Sequence, residues 1–453
     1  MRVFILLIPI AGIYLVLSSL FKFKKLINPV SIISFWWTFW LWLSNFSLTG
    51  LFVPSSRTQI MVLVMLLAVS IGSLLAYARD RDPAATSLAN QRFVQNRRRL
   101  LWLNLLFTPI MGFLLYRALP TLLTSNPASY RMDVYGTVDR PSPVFGGGYN
   151  QFLFFLIVSP IVFFSFVVGA VDFFKFKKKG LLLISFLLMA VESVFTLGRF
   201  NFYYMLAIPA FAYVFVSQRK AHAAGDGAGE EAAPAKVRLK PVNFALGAAA
   251  VLAVLLAFSL FRGERYLGPV ATLEKIAIDY HTVGLVLFDQ ELVVPSSRMN
   301  SGLSYGRSII GGLDTLAVIP LRRFNPSLVP IAGENGIYMQ ERHQVGRDGR
   351  GEPIFANAFY TILYSMYFDG RYLAIVLFSL VFGYFLSSSY QNWRKNGGLA
   401  SLIGLILLMY VGVFSIFQSP VEGMKFWVAL LLILWLKKFS LAFVRQSRPG
   451  DHA

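Results

Sequence analysis

Histidines, arginines and two acids set in apolar surroundings are the residues of this chain with chemistry to offer. Of the four histidines, His222 lies in a polar Ala/Gly/Glu-rich stretch and His452 in the tail. His281, in "DYHTVGLVLFDQEL", and His343, in "YMQERHQVGRDGR", are the two candidates for moving a proton near neutral pH. The plainer alternative is a solvated loop histidine. Glu192 falls late in an apolar run, seven residues before Arg199, which is close to two turns if the helix continues. Glu422 sits in "QSPVEGMKF", between two apolar runs. Each acid reads either as an internal ion-pair partner or as a catalytic carboxyl. With no cysteine there is no disulfide and no thiolate metal site. No HExxH, DxD or clustered His/Asp pattern occurs between the later apolar runs, so the expected chemistry uses no metal and no cofactor.

The cations differ in kind. The chain has 27 arginines and 15 lysines, yet segment 262–371 holds ten arginines and one lysine, Lys275. Guanidinium is a flat, permanently charged fork that binds phosphate through two hydrogen bonds, which ammonium cannot do. That bias points to a phosphate or carboxylate ligand. The alternative is internal pairing with the eleven acids of the same segment. Arg199, in "FTLGRFNFYY", and Arg262 and Arg265, in "LFRGERYLG", stand at the ends of apolar runs. There they either snorkel to an interface or converge on one lipid-linked anion.

The elements that must position these residues are membrane spans. Hydrophobic residues make up 56% of the 453, charged residues 14%, and the mean hydropathy is +0.60. Runs of about 20 apolar residues, enough to cross roughly 30 Å of hydrocarbon, recur along the whole length. The pattern predicts an all-α polytopic membrane protein, one membrane domain over 1–453. It has eleven spans, near 2–20, 29–52, 59–78, 100–123, 151–171, 180–197, 200–217, 242–261, 372–390, 399–418 and 424–444. The opening run reads as the first helix, since it lacks a small-x-small cleavage site and is of spanning length. The net charge of +20 is gathered in short loops, which is the positive-inside pattern and not a nucleic-acid surface. Six basic clusters occupy alternate loops and agree on an N-terminus outside and a C-terminus in the cytoplasm. On that topology 218–241 is a flexible cytoplasmic linker, and 262–371 is a large, partly helical outer loop. Within it "ANAFYTILYSMYFDGRYL" places rings on every face of a helix and ends in Asp369-Gly370-Arg371, at the lip of the next span.

Several segments occur in a telling order: "LGRFNFYY", "FRGERYLG", "YHTVGLVLFDQEL" and "NAFYTILYSMYFDGRYLAIVLFSLVFGYF". Together with the topology, this set resembles the Wzy-type oligosaccharide repeat-unit polymerases of bacterial surface polysaccharide synthesis, over roughly residues 100–440. One departure is that Arg371 follows Gly370, where that family often has further glycine.

The resemblance implies an inverting, metal-independent glycosyltransferase of GT-C-like membrane fold in the bacterial inner membrane. It would join undecaprenyl-diphosphate-linked repeat units on the periplasmic side. Implied partners are membrane lipids and a flippase and chain-length regulator of the same pathway. In that reading Arg199, Arg262 and Arg265 hold the donor diphosphate, helped by Arg131 and Arg342. His343 is the first choice for the base, with Glu422 and His281 behind it. Tyr280, Tyr360 and Tyr364 line the sugar groove, and Asp369 and Arg371 either fix the glycan or lock the loop. The competing expectations are an O-antigen ligase acting on lipid A core, and a lipid-linked glycan flippase, which should show repeats and charges along a full path.

Overall fold

The helices begin and end where the sequence supplies caps. Asn28 and Ser31 form a reciprocal capping box, with Ser31 N–H donating to Asn28 Oδ1 at 3.0 Å and Asn28 N–H to Ser31 Oγ at 2.9 Å. Pro29 then opens the helix at its first position, where its missing N–H costs nothing. In the computed structural model the described residues are 2–77, 83–124, 130, 134, 142–225, 249, 253–254, 256–257, 272–339, 341–357 and 360–444. Among the described residues before 226 the α-helices are α1 (Arg2–Phe23), α2 (Pro29–Leu43), α3 (Ser56–Leu75), α4 (Pro83–Thr124), α5 (Gly148–Phe176), α6 (Gly180–Thr196) and α7 (Phe200–Gly225). Inside α5 a π turn at Phe154–Val158 lies just ahead of Pro160, whose missing N–H releases the carbonyl of Leu156.

Later elements are shorter: α8 (Tyr280–Val293), α9 (Arg298–Ser301), α10 (Gly311–Leu321) and α11 (Ile331–Tyr338). They lead to an antiparallel hairpin of β1 (His343–Arg347) and β2 (Pro353–Ala356), and then to α12 (Ile362–Asn396), α13 (Leu399–Phe414) and α14 (Met424–Val444). The hairpin modifies the all-α expectation. Its turn is closed by Asp348 Oδ1, which accepts from the N–H groups of Arg350 (2.8 Å) and Glu352 (2.9 Å).

Among the described residues, six helices are long and apolar enough to cross a membrane: Phe4–Phe23, Ser56–Leu75, Asn96–Thr124, Gly148–Phe176, Phe200–Arg219 and Ile362–Asn396. The chain is a multi-pass membrane protein of mainly helical build. Four further expected spans fall on Pro29–Leu43, Gly180–Thr196, Leu399–Phe414 and Met424–Val444, shorter apolar helices or, for the last, one apolar as far as Trp435. Most of the expected span at 242–261 lies outside the described residues, as does 226–241 of the expected linker, whose first part continues α7.

The chain forms two compact units. The first comprises Met1–Arg79, Leu273–Gln391 and Leu408–Trp427; the second comprises Asp80–Thr272, Asn392–Leu407 and Val428–Ala453. In the first, α1, α2 and α3 pack on one another and α8 lies against α2 and α3. The indoles of Trp36 and Trp37 donate to the carbonyls of Val413 (2.9 Å) and Gly412 (2.8 Å). Backbones of α3 and α12 touch at two glycines: a Cβ on Gly72 would come 2.0 Å from the Leu380 carbonyl oxygen, and one on Gly383 equally close to that of Val69. Small residues permit such an approach between membrane helices. In the second unit α4, α5 and α6 pack together and α7 leans on α5. There Arg97 Nε reaches the fully buried Asp172 at 3.2 Å.

Helix α6 does not run on to Arg199. Leu197 adopts φ 49° and the Gly198 N–H closes on the Ser193 carbonyl at 3.1 Å, so the chain turns before α7 starts. Glu192 and Arg199 are therefore not on one continuous helix face. Glu192 is buried and accepts from Ser159 Oγ at 2.8 Å.

Candidate functional site

Two carboxylates in the first unit organise its loop elements. Glu291 is forced inside by its neighbours on α8, where Leu287, Phe288 and Leu292 are all buried. It is 2% exposed. Tyr338, at the end of α11, donates its hydroxyl to Glu291 Oε2 at 2.7 Å, and Tyr360 reaches Oε1 at 3.4 Å. His343, the first residue of β1, is half-buried with Nε2 3.7 Å from the same Oε1. Burial pushes the Glu291 carboxyl above its ordinary range, against the pull of the Tyr338 hydroxyl and of His343.

Glu422 ends the 3₁₀ turn Pro420–Glu422 between α13 and α14 and is half-buried. Its Oε1 accepts from Ser308 Oγ (3.1 Å), Asn335 Nδ2 (3.4 Å) and Ser365 Oγ. Burial raises this carboxyl to about 7 despite those three donors, and the negative Asp369 adds to the rise. Helix α11 serves both acids with one face, since Asn335 points to Glu422 and Tyr338, nearly one turn on, to Glu291. The preceding residue of that helix, Glu334, pairs with Arg298, whose guanidinium lies 5.5 Å from the centre of the Phe368 ring. Tyr364 completes the cluster, its ring 4.9 Å from that of Tyr360 and within electrostatic reach of Glu291, Glu422 and Arg298. Its hydroxyl is buried and, among the described residues, has no hydrogen-bond partner. A buried hydroxyl without a partner carries a desolvation penalty that a bound polar ligand would relieve. The arrangement offers a carboxyl poised to take a proton near neutral pH, a second beside a histidine, and a ring of hydroxyl donors.

Asp369 and Arg371 are engaged by the loop itself. Asp369 Oδ1 accepts from the Ser304 hydroxyl and from Ser308 N–H at 2.9 Å, and its Oδ2 from Ile309 N–H at 2.8 Å. Arg371 donates to the carbonyls of Met299 and Asn300 (3.1 Å) in α9 and of Gly302 (2.9 Å), just past its end. The pair sits at the break in α12 at Gly370 and Arg371, where the backbone leaves helical geometry, and locks the loop to it.

His281 is placed for packing. It stacks on Trp40 with ring centres 4.0 Å apart and meets the rings of Trp36 (5.3 Å) and Phe417 (4.7 Å) edge-on. Burial in this box pulls it down to about 3, which favours the neutral imidazole. The ring contacts give His281 a packing role. Substitution His281→Phe should leave turnover within about twofold and the melting temperature near wild type, because the box is apolar. Melting curves and turnover of the purified variant check this.

Of the remaining expected residues, Tyr280 is buried at the first position of α8, and Arg342 is exposed just ahead of β1. Arg199 is half-buried and belongs to the second unit. Arg131, Arg262 and Arg265 lie outside the described residues. Sequence reading missed Glu291, Arg298, Asn335 and Tyr338. For Glu291 the signal was present, an acid embedded in "VLFDQELVV". For the other three nothing local distinguishes them from ordinary loop residues.

What fold and site define is a class, a multi-pass membrane protein whose first unit buries a network around two carboxyls. Comparison with protein-family models, curated proteins and solved structures found no match.

Proposed function

We propose that the protein is a membrane glycosyltransferase that joins undecaprenyl-diphosphate-linked oligosaccharide repeat units, with Glu422 as general base. The observation that carries the reading is a half-buried carboxyl raised to about 7, ringed by Ser308, Asn335 and Ser365. The ordered resemblance to the Wzy-type polymerases supplies the substrate class. In the reaction Glu422 takes the proton from an acceptor sugar hydroxyl. The oxygen attacks the anomeric carbon of the donor with inversion, and the bond to the lipid diphosphate breaks. Charge developing on the departing diphosphate falls to guanidinium groups in place of a metal, for which Arg199, Arg262 and Arg265 are the first assignments and Arg131 and Arg342 the helpers. His343, beside Glu291, orients the acceptor, and Tyr280, Tyr360 and Tyr364 border the glycan.

The wider setting is proposed with it. The protein would be a GT-C-like bundle of eleven crossings in the bacterial inner membrane, N-terminus periplasmic and C-terminus cytoplasmic, acting beside a flippase and a chain-length regulator.

The test uses purified protein in detergent with a synthetic lipid-diphosphate repeat unit, the products resolved by size. A ladder of multiples is expected, and its loss in Arg199→Ala would place that guanidinium in the reaction. A folded protein that leaves the units single overturns the reading. Transfer only to added lipid A core would make it a ligase, and translocation of intact units a flippase.

A further inference from the structure

We propose that a cleft between α3 and α12, at the first turn of α3, is a seat for a lipid phosphate, with the head on Arg57 and the hydrocarbon chain running along Ile60 and Val64. The cleft has a volume of about 400 Å³ and is lined by Arg57, Ile60, Met61, Val64, Tyr372 and Ile375, all in the first unit. That size lies within the roughly 300–1,000 Å³ of ordinary ligand pockets. Apart from Arg57 and the Tyr372 hydroxyl, its lining is aliphatic, aromatic or thioether.

The order of these residues matches an amphiphile. Arg57 stands in the first turn of α3, where a membrane span begins, and Ile60, Met61 and Val64 follow along the same face. Seven residues of helix rise about 10 Å, so the apolar lining leads from the charged end into the hydrocarbon depth. Ile60 and Val64 are exposed at 49% and 38%, while Met61 and Ile375 form a buried floor.

The charge at the mouth is held but not neutralised. Arg57 Nε donates to the Tyr372 hydroxyl at 2.8 Å, and a terminal nitrogen of its fork to that of Tyr367 at 3.0 Å. Both rings lie within 6 Å of the guanidinium, at 5.7 and 5.9 Å. These partners are neutral phenols, and among the described residues no carboxylate pairs with Arg57. Asp289, the acid at this end of α3, accepts from Ser55 N–H and Oγ and from the Thr58 hydroxyl. Thr58 is fully buried and Arg57 exposed, so that acid serves the inner side of the helix. A second guanidinium, Arg371, stacks on the Tyr367 ring at 5.0 Å and adds positive potential there. Two phenols hold the fork at the head of an apolar track, which is complementary to a phosphate joined to a hydrocarbon chain.

This inference stands on the cleft and not on the transfer reaction. Under the proposed function the seat would hold one of the two lipid-linked substrates that a polymerisation step requires.

The experiment uses the full chain in detergent micelles and a polyprenyl monophosphate carrying a diazirine near its head, with labelled peptides mapped by mass spectrometry. Labelling is expected on the peptides holding Ile60, Val64 and Tyr372. It should fall at least tenfold in Arg57→Gln and in Val64→Trp, which plugs the track, and fall less in Arg57→Lys, which keeps the charge but not the fork. Melting temperatures close to wild type show that these variants are folded. Equal labelling by the corresponding polyprenol, or no change in Arg57→Gln, would overturn the role of the head. Full competition by millimolar inorganic phosphate would overturn the role of the chain. Labelling without ladder formation would remove the proposed function alone, and a ladder without labelling would remove this seat alone.

Discussion

Replacing Glu422 with Gln should lower polymerisation by roughly 10²- to 10⁴-fold, the usual worth of a general base. The substitution is close to silent for the fold. All three donors to Glu422 use Oε1, which Gln retains as an amide carbonyl. The pH profile separates catalysis from support. A base works when deprotonated, so with Glu422 raised to about 7, wild-type turnover should climb tenfold per pH unit below about 7 and level off above it. In Glu422→Gln the residual rate should be flat over the same window.

Stability must move the other way. Because the folded protein holds the Glu422 proton more tightly than the unfolded chain, whose carboxyl ionises near 4.5, stability from this group is fully present below 4.5 and lost as pH rises through about 7. At pH 8 the Gln variant should thus melt at least as high as wild type, and at pH 4.5 the two should converge. Asp369 and Tyr364 face the same carboxyl and do not alter the sign. A variant that loses turnover and melts early at every pH would mark Glu422 as support and remove it from the chemistry.

How much of this was readable in the sequence depends on the range of the interaction that fixes each part. The helices were legible because burial in lipid demands long apolar runs, and those runs are local. Their ends were less so. Leu197 leaves the helical region one residue before Gly198, a choice of turn that hydropathy does not register. The hairpin was missed because two short strands around "RDGRGE" carry little periodicity, and their pairing partner, the Gly50–Phe52 stretch, lies about 300 residues away in the chain. Glu422 and His343 drew notice by type and setting, and both fall in the buried network. Arg298 and Asn335 gain their meaning only from α11 lying across the two acids, a tertiary fact. His281 drew notice on the same grounds as His343, and the Trp36/Trp40 box around it was also beyond local reading.

Truncating Asp369 to Ala should destabilise the protein by about 3 kcal/mol or more. It would strand the buried N–H groups of Ser308 and Ile309 and the Ser304 hydroxyl, each worth roughly 1–3 kcal/mol when left without an acceptor. The residue next but one explains why the lock is needed. Arg371 sits at φ 57° and ψ −142°, a backbone state that glycine tolerates and other residues resist, at a cost of about 1–3 kcal/mol. Its fork on the carbonyls of Met299, Asn300 and Gly302 holds it there. Arg371→Gly should accordingly be milder than Arg371→Ala, since both lose the fork but only Gly relieves the backbone. Melting temperatures in detergent rank the three variants, and limited trypsin digestion should cut early at Arg298 and Arg307 in Asp369→Ala. Were Asp369 instead a glycan contact, the variant would keep its melting temperature and its protease resistance while KM for the repeat unit rose. Early cleavage with an unchanged KM for the surviving folded fraction assigns the Asp369/Arg371 pair to the loop. The rings at the lip of the span would then owe their geometry to that lock, because Tyr360 and Ser365 reach the two carboxyls, and Tyr364 packs on Tyr360, from the segment Asp369 ties down.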